Sequence, residues 1–219
     1  MLTINYRLLF LGIAVFLLPT LSQAQFGIPW KLTPTVTVIS AQGNDPRTVM
    51  VDEAISFWNK TLLEVGSGFR LPAASRQTML IPEEALQAFS TSIVDRPSRL
   101  IYTPGSLRNL PANLNIMLAD TAFVSFVGPF DSDDKRVVAI RGINSAPLNL
   151  PNVALNVIVH ELGHALGLGH NNDSTKLMCG RPAPCRPNAF ESTEPKIFPL
   201  TDEEKRQLLA LYPADWKSR

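Results

Sequence analysis

All three histidines of this 219-residue chain fall within one short stretch, His160-Glu161-Leu162-Gly163-His164-Ala165-Leu166-Gly167-Leu168-Gly169-His170. On a helix, residues four apart share a face, so His160 and His164 can aim their imidazoles at one point. His170 cannot join them by continuing that helix: ten positions after His160 it would lie roughly 80° off the face and about 15 Å along the axis. A chain that brings all three together must break the helix and turn back. Gly167 and Gly169 stand where the break has to come, and glycine enters positive φ without steric cost.

Three imidazoles converging on one point suit zinc. Three protein ligands leave a fourth position for water, zinc lowers the pKa of that water toward about 7, and a neighbouring carboxylate is needed to take the proton. Glu161, between the first two histidines, is the candidate general base. Two other readings fit less well. A structural zinc would be closed by a fourth protein ligand, and histidines four apart without a metal would only crowd each other when charged.

The N-terminal stretch reads as an export signal. Arg7 precedes the apolar run Leu8 to Leu18, and Pro19 and Ser22-Gln23-Ala24 follow, with small residues at Ser22 and Ala24. Residues 1–24 are therefore expected to be a signal peptide and Gln25 the first mature residue. A signal anchor is the alternative, but the run is short of the roughly 20 residues that span a bilayer. Of 219 residues, removal of 24 leaves 195, which suits one domain with a full core, 25–219. Without Arg7 the chain holds 19 basic and 19 acidic residues, a balance that points to neither nucleic acid nor an anionic membrane as partner.

Along the chain, Thr33 to Ser40 is rich in β-branched residues and predicts a strand. Asp45 as N-cap, with Pro46 in the first turn, opens an apolar-striped helix up to Gly66, in which Phe57 and Trp58 are core residues. Gly68 to Leu71 is expected to be a short strand and Pro82 to Phe89 a helix, while Asn113 to Asp120, Phe123 to Val127 and Arg136 to Ile143 predict further strands. Asp131-Ser132-Asp133-Asp134 has the spacing of a calcium site formed by Asp131, Asp133 and Asp134, or is a solvated acidic turn. Leu150-Pro151-Asn152 opens the zinc helix, which runs to about Gly167. Thr201 with Glu204 forms a capping box for a last helix whose packed face is Leu208, Leu211 and Tyr212, and whose role is structural. The two cysteines, Cys179 and Cys185, are expected to form a disulfide in an exported protein, worth roughly 2.4 kcal/mol by loop closure. A thiolate on the zinc is the alternative. Asn59 and Asn172 begin Asn-x-Ser/Thr sequences, but Asn59 falls on a packed helix and Asn172 beside a ligand.

HELGHALGLGH reproduces the HExxHxxGxxH pattern of the metzincin clan of zinc proteases, which also carries a methionine turn downstream. Met178 follows His170 by eight residues. Within the clan the chain resembles a matrixin catalytic domain over nearly its whole mature length, and LTDEEKRQLLALYP is similar to the matrixin closing helix. The resemblance implies an α+β fold with a twisted mixed sheet and three main helices: the first helix, the zinc helix and the C-terminal helix. It implies His160, His164 and His170 as zinc ligands, Glu161 as general base and Met178 as the floor of the site. The departures also matter. With all three histidines on one metal, the second zinc of matrixins is not expected. No cysteine precedes Cys179, so latency through a capping cysteine is not expected either, and substrate preference does not carry over.

The expectation is a secreted, extracellular or periplasmic zinc endopeptidase. It would act on protein or peptide substrates as a monomer, with no nucleic acid and, after signal cleavage, no membrane. The competing class is a secreted zinc-binding or interaction module of the same fold with little or no turnover.

Overall fold

A computed structural model describes residues 27–95, 103–128, 134–144, 146–180 and 196–218. In chain order its elements are β1 (Val36–Ser40), α1 (Arg47–Glu64), β2 (Ser75–Thr78), α2 (Glu83–Asp95), α3 (Gly105–Arg108), β3 (Leu114–Leu118), β4 (Phe126–Gly128), β5 (Arg136–Ile140), α4 (Pro151–Ala165) and α5 (Asp202–Leu211). The expected signal peptide lies outside the described residues. Among those described, no helix is long and apolar enough to cross a membrane.

β1, β3 and β5 are short, largely apolar strands in which every residue is buried. Such strands need cover on both faces, and a parallel sheet with helices on each side provides it. The sheet order is β2-β1-β3-β5-β4, parallel except for β4, which runs antiparallel to β5 at the edge. Alternation along the strands divides the core in two. Val36, Val38, Leu114, Ile116, Leu118, Val138 and Ile140 face α1 and α4, whereas Ile39, Met117, Val137 and Ala139 meet Leu86, Phe89 and Leu107 from α2 and α3. The α+β class and mixed sheet are as expected. α2 runs six residues beyond the predicted Phe89, to Asp95, because the second face of the sheet also needs covering.

Two local expectations are corrected. Gly68–Leu71 is not a strand: the Leu71 N–H donates to Asn59 Oδ1 (2.8 Å) and its carbonyl accepts from Asn59 Nδ2 (2.8 Å), so a side chain of α1 takes the groups a strand partner would use. That pairing also occupies the amide a glycan would need. The neighbour of β1 is instead the polar, exposed Ser75–Thr78, which carries no apolar alternation to announce it. At the start of α1, Pro46 occupies the cap position with Asp45 one residue earlier, accepting from the Arg47 and Thr48 N–H groups (2.9 and 3.1 Å). The Arg47 guanidinium is buried, paired with Asp45 and donating to the carbonyls of Ala119 (2.7 Å) and Arg141 (2.9 Å), where it ties α1 to the ends of β3 and β5.

α4 is apolar almost all round, with Pro151 at its first position as expected, and packs against α1 and against β4 and β5 of the sheet. Trp58 of α1 is a core residue, its Nε1–H donating to the Val159 carbonyl (2.9 Å). The helices approach closely at Gly163. A Cβ there would come within 2.8 Å of Trp58 Cζ2 and 2.6 Å of Met178 Sδ.

The C-terminal end of α4 shows why the helix can stop where the ligand spacing demands. Gly167 has φ +98°. The Leu168 N–H donates to Gly163 O (3.0 Å) and the Gly167 N–H to His164 O (2.9 Å), the paired bonds of a Schellman turn. Gly169, expected to share the left-handed conformation, does not: one glycine at the C′ position suffices to reverse the chain. The remaining carbonyls take donors from three other parts of the protein. Trp30 Nε1 (3.0 Å) and the Arg136 guanidinium donate to Ala165 O, and the Tyr212 hydroxyl donates to Leu166 O (3.0 Å) while accepting from the Trp30 N–H (3.2 Å).

This packing can be tested at two positions. Tyr212→Phe removes a buried hydroxyl that serves both chain ends and should lower the unfolding free energy by about 1–3 kcal/mol in a urea titration. Burial pushes the Tyr212 hydroxyl above its ordinary value of about 10. Above that pH the unfolded chain releases a proton the folded chain retains, so stability falls as pH rises, and the phenylalanine variant should lose this part of the alkaline slope. Gly163→Ala overpacks the junction of Trp58, α4 and Met178 and should destabilise by about 1–3 kcal/mol; an unchanged thermal midpoint would refute the close-approach account.

Candidate metal centre

α4 supplies His160 and His164 one turn apart, and the reversal at Gly167 brings His170 back against them. Each ring on the helix is oriented through its other nitrogen: His160 Nδ1 lies 2.8 Å from Leu177 O, and His164 Nδ1 lies 2.8 Å from Leu168 O. A carbonyl can only accept, so in the neutral rings Nδ1 carries the proton and Nε2 is left with its lone pair. His170 Nε2 stands 3.3 Å from His160 Nε2 and 3.0 Å from His164 Nε2.

This donor set fits zinc. A tetrahedral ion with Zn–N bonds of about 2.0–2.1 Å places two ligand nitrogens about 3.3–3.4 Å apart. Two imidazole lone pairs directed at the place a third nitrogen also faces are reconciled by one shared cation, whereas a single proton on His170 would serve only one of them. Among the described residues this is the cluster of histidine, cysteine or carboxylate groups able to hold a metal, its ligand atoms all within 4.8 Å of one another. Glu161 lies on α4 directly after His160 and is 5% exposed.

Met178 is fully buried and packs against Gly163 of α4, whose added Cβ would come 2.6 Å from its Sδ. Its carbonyl accepts from the Asn171 N–H (2.8 Å), and the Gly180 N–H donates to Asn171 O (2.9 Å), so the arm bearing His170 is bridged to the methionine turn. Gly180 backs the His170 ring, where a Cβ would come 3.2 Å from the ligand's Cβ and Cγ. Further along the arm, hydrogen bonds from Thr175 hold the Asp173 carboxyl below its ordinary range.

Other expectations meet the structure unevenly. Cys179 is buried in the methionine turn, but Cys185 lies outside the described residues, and with it the disulfide. Asp131 and Asp133 also lie outside. Asp134, the described member of that acidic group, accepts at its backbone carbonyl from Asn113 Nδ2 (3.0 Å), and a calcium ion has no support. The capping box is present in both halves, Thr201 Oγ1 accepting from the Glu204 N–H (3.1 Å) and Glu204 Oε2 from the Thr201 N–H (2.7 Å).

Sequence reasoning passed over the asparagines that organise the surroundings. Asn156 Oδ1 accepts from the Phe198 N–H (3.0 Å), its Nδ2 donates to Lys196 O (2.6 Å), and Asn152 Oδ1 accepts from the Lys196 N–H (3.1 Å). Together they fasten Lys196–Phe198 to α4. Their signal was legible: two amides four apart on an otherwise apolar helix must find buried partners.

Known proteins share both sequence and shape with this chain. The matrixin family model matches residues 116–212, from β3 through the end of α5. Human matrix metalloproteinase-27 is 39% identical over 56 residues, a stretch that makes up 26% of this chain and 9% of that protein. The chain thus matches only a small part of that relative's length. In fold, the chain is similar to the crystal structure of archaemetzincin from Methanopyrus kandleri, with a TM-score of 0.50 and 18% identity, covering 83% of this chain and 96% of that one. The three imidazoles that gather past the end of α4 thus lie in the part of the chain that the matrixin family model matches, within a fold similar to that of archaemetzincin.

Proposed function

We propose that the protein is a secreted zinc-dependent endopeptidase, exported by residues 1–24 and active as the domain 25–219. The observation that carries the reading is the convergence of His160, His164 and His170 with Glu161 beside them on α4. The three Nε2 atoms would hold the metal, and the carbonyls of Leu177 and Leu168 keep the first two rings in the tautomer that can do so. Zinc there supplies Lewis acidity, acidifying a water and polarising the scissile carbonyl. Glu161 accepts the proton of the attacking water and passes it to the departing amine. Met178 props the ligand helix from below at Gly163, and Cys179 with Cys185 would clamp the turn that follows.

A protein or peptide chain is the substrate class that suits this setting. β4 ends the sheet and packs against α4, so an extended chain could add to its outer edge through main-chain hydrogen bonds. The test is Glu161→Ala beside wild type, measured by zinc content and by digestion of a defined peptide library. The variant should keep its zinc and lose cleavage by at least about 100-fold, the low end of what a general base contributes. Cleavage at wild-type rate in Glu161→Ala would remove Glu161 from the mechanism. Zinc bound by a wild-type protein that cuts nothing would instead favour the binding-module reading.

A further inference from the structure

Two of the three ligands stand on a packed helix; the third stands on an arm, exposed, and something other than helical geometry must place it. Asn171, the next residue, uses all its polar groups to do so. Its N–H donates to Met178 O (2.8 Å) and its carbonyl accepts from the Gly180 N–H (2.9 Å), while side-chain Oδ1 accepts from the Asp173 N–H (2.7 Å). Nδ2 donates to Glu204 Oε1 at 2.6 Å, across to the N-terminus of α5. Glu204 is 5% exposed, and its other oxygen is the one engaged in the capping box. A capping box needs one carboxylate oxygen. Here the second oxygen leaves the helix and holds the residue beside His170 by a short, charge-assisted bond of the stronger kind.

We propose that Asn171 and Glu204 are positioning residues for the metal centre: the last helix, through this bond, sets His170 at the distance where its Nε2 meets those of His160 and His164. This rests on the reading of the three histidines as zinc ligands. Neither residue belongs to the cluster of three imidazoles that could hold the metal. Their effect passes through the backbone of Asn171 into its neighbour, one step further out than partners bonded directly to a ligand, which change metal affinity by about 10- to 100-fold.

The bond has a direction, and the direction provides the test. Glu204→Gln offers one acceptor where two are required, so either Asn171 or the Thr201 N–H loses its partner. Asn171→Asp sets two carboxylates against each other. In the double variant that combines Asn171→Asp with Glu204→Gln, the new side-chain amide on α5 can donate its N–H to the new carboxylate on the arm. Its amide oxygen still accepts from the Thr201 N–H, and the carboxylate on the arm still accepts from the Asp173 N–H. The link is rebuilt with donor and acceptor exchanged. Full-length proteins loaded with zinc would be titrated with a chelating dye, and thermal unfolding of the metal-free forms followed in parallel. Each single variant should bind zinc about 10-fold more weakly or worse, and the double variant should return to within about 3-fold of wild type. Thr201→Ala, which breaks the capping box but spares the Asn171–Glu204 bond, should lower the unfolding midpoint and leave zinc affinity unchanged. Single variants that hold zinc as wild type does, or a double variant no better than the singles, would overturn the proposal. If a single variant does not fold, the double variant decides by the same criterion. A wild-type protein that binds no zinc would defeat the ligand assignment itself, which is distinct from wild type and Glu204→Gln binding zinc equally.

Discussion

The carbonyls at the C-terminal end of α4 have to find donors in the short space where the chain reverses, and most of the protein around the site is arranged by that requirement. A helix end leaves its last carbonyls without intrahelical partners, and burying them unpaired costs on the order of 1–3 kcal/mol each. Here the reversal itself satisfies Gly163 and His164 through the N–H groups of Leu168 and Gly167. Ala165 and Leu166 are satisfied from outside, by Trp30 near the start of the described chain, Arg136 at the start of β5 and Tyr212 at the end of α5. The Arg136 guanidinium also suits the negative end of the helix dipole and lies 4.2 Å over the Trp30 ring. The turn that returns His170 to the other two histidines is thus held by segments far apart in the sequence.

From that turn the ligand geometry follows with few free choices. Leu168, just past the reversal, gives the carbonyl that fixes the His164 ring, so one turn both ends the helix and sets the tautomer of its last ligand. His160 is fixed by Leu177, one residue before Met178, which couples the first ligand to the turn packed under Gly163. The helix cannot yield to relieve any of these contacts. Trp58 lies against one side and the sheet against another, and interiors packed this closely deform little. Precision of the nitrogens is therefore inherited from core packing rather than from local chain stiffness.

How far this was legible in the sequence depends on how local each cause is. The helix break, the convergence of the two helical histidines and the Thr201–Glu204 capping box follow from spacings of a few residues, and the structure has them where the spacing says. The strands of the sheet centre were equally readable, since Leu114, Ile116 and Leu118 alternate. That Met117 and Asn115 are also buried depends on α2 and α3 covering the far face, which no strand pattern states. β2 was hidden because an edge strand lying exposed beside β1 needs backbone pairing more than apolar side chains. Gly68–Leu71 misled for the opposite reason: Phe69 and Leu71 are apolar and buried, yet their segment finds its partners in Asn59 and in the chain end near Pro213. Gly169 looked interchangeable with Gly167 until the bonding pattern singled out one position.

The last helix is where a sound local reading stopped short of the function. Leu208 and Tyr212 are buried as its apolar spacing says, and a structural role accounts for both. What the spacing cannot express is that a carboxylate has two oxygens with separate employments. Glu204 uses one within its own helix and directs the other at Asn171, a partner 33 positions away in sequence. On the proposed roles, the two helical histidines take their places from the packing of α4, whereas His170 is placed through Asn171, by its backbone bonds to the methionine turn and its side-chain bond to Glu204. A metal that needs all three nitrogens at once would then be sensitive to the docking of the final helix, and metal binding and that docking would be linked.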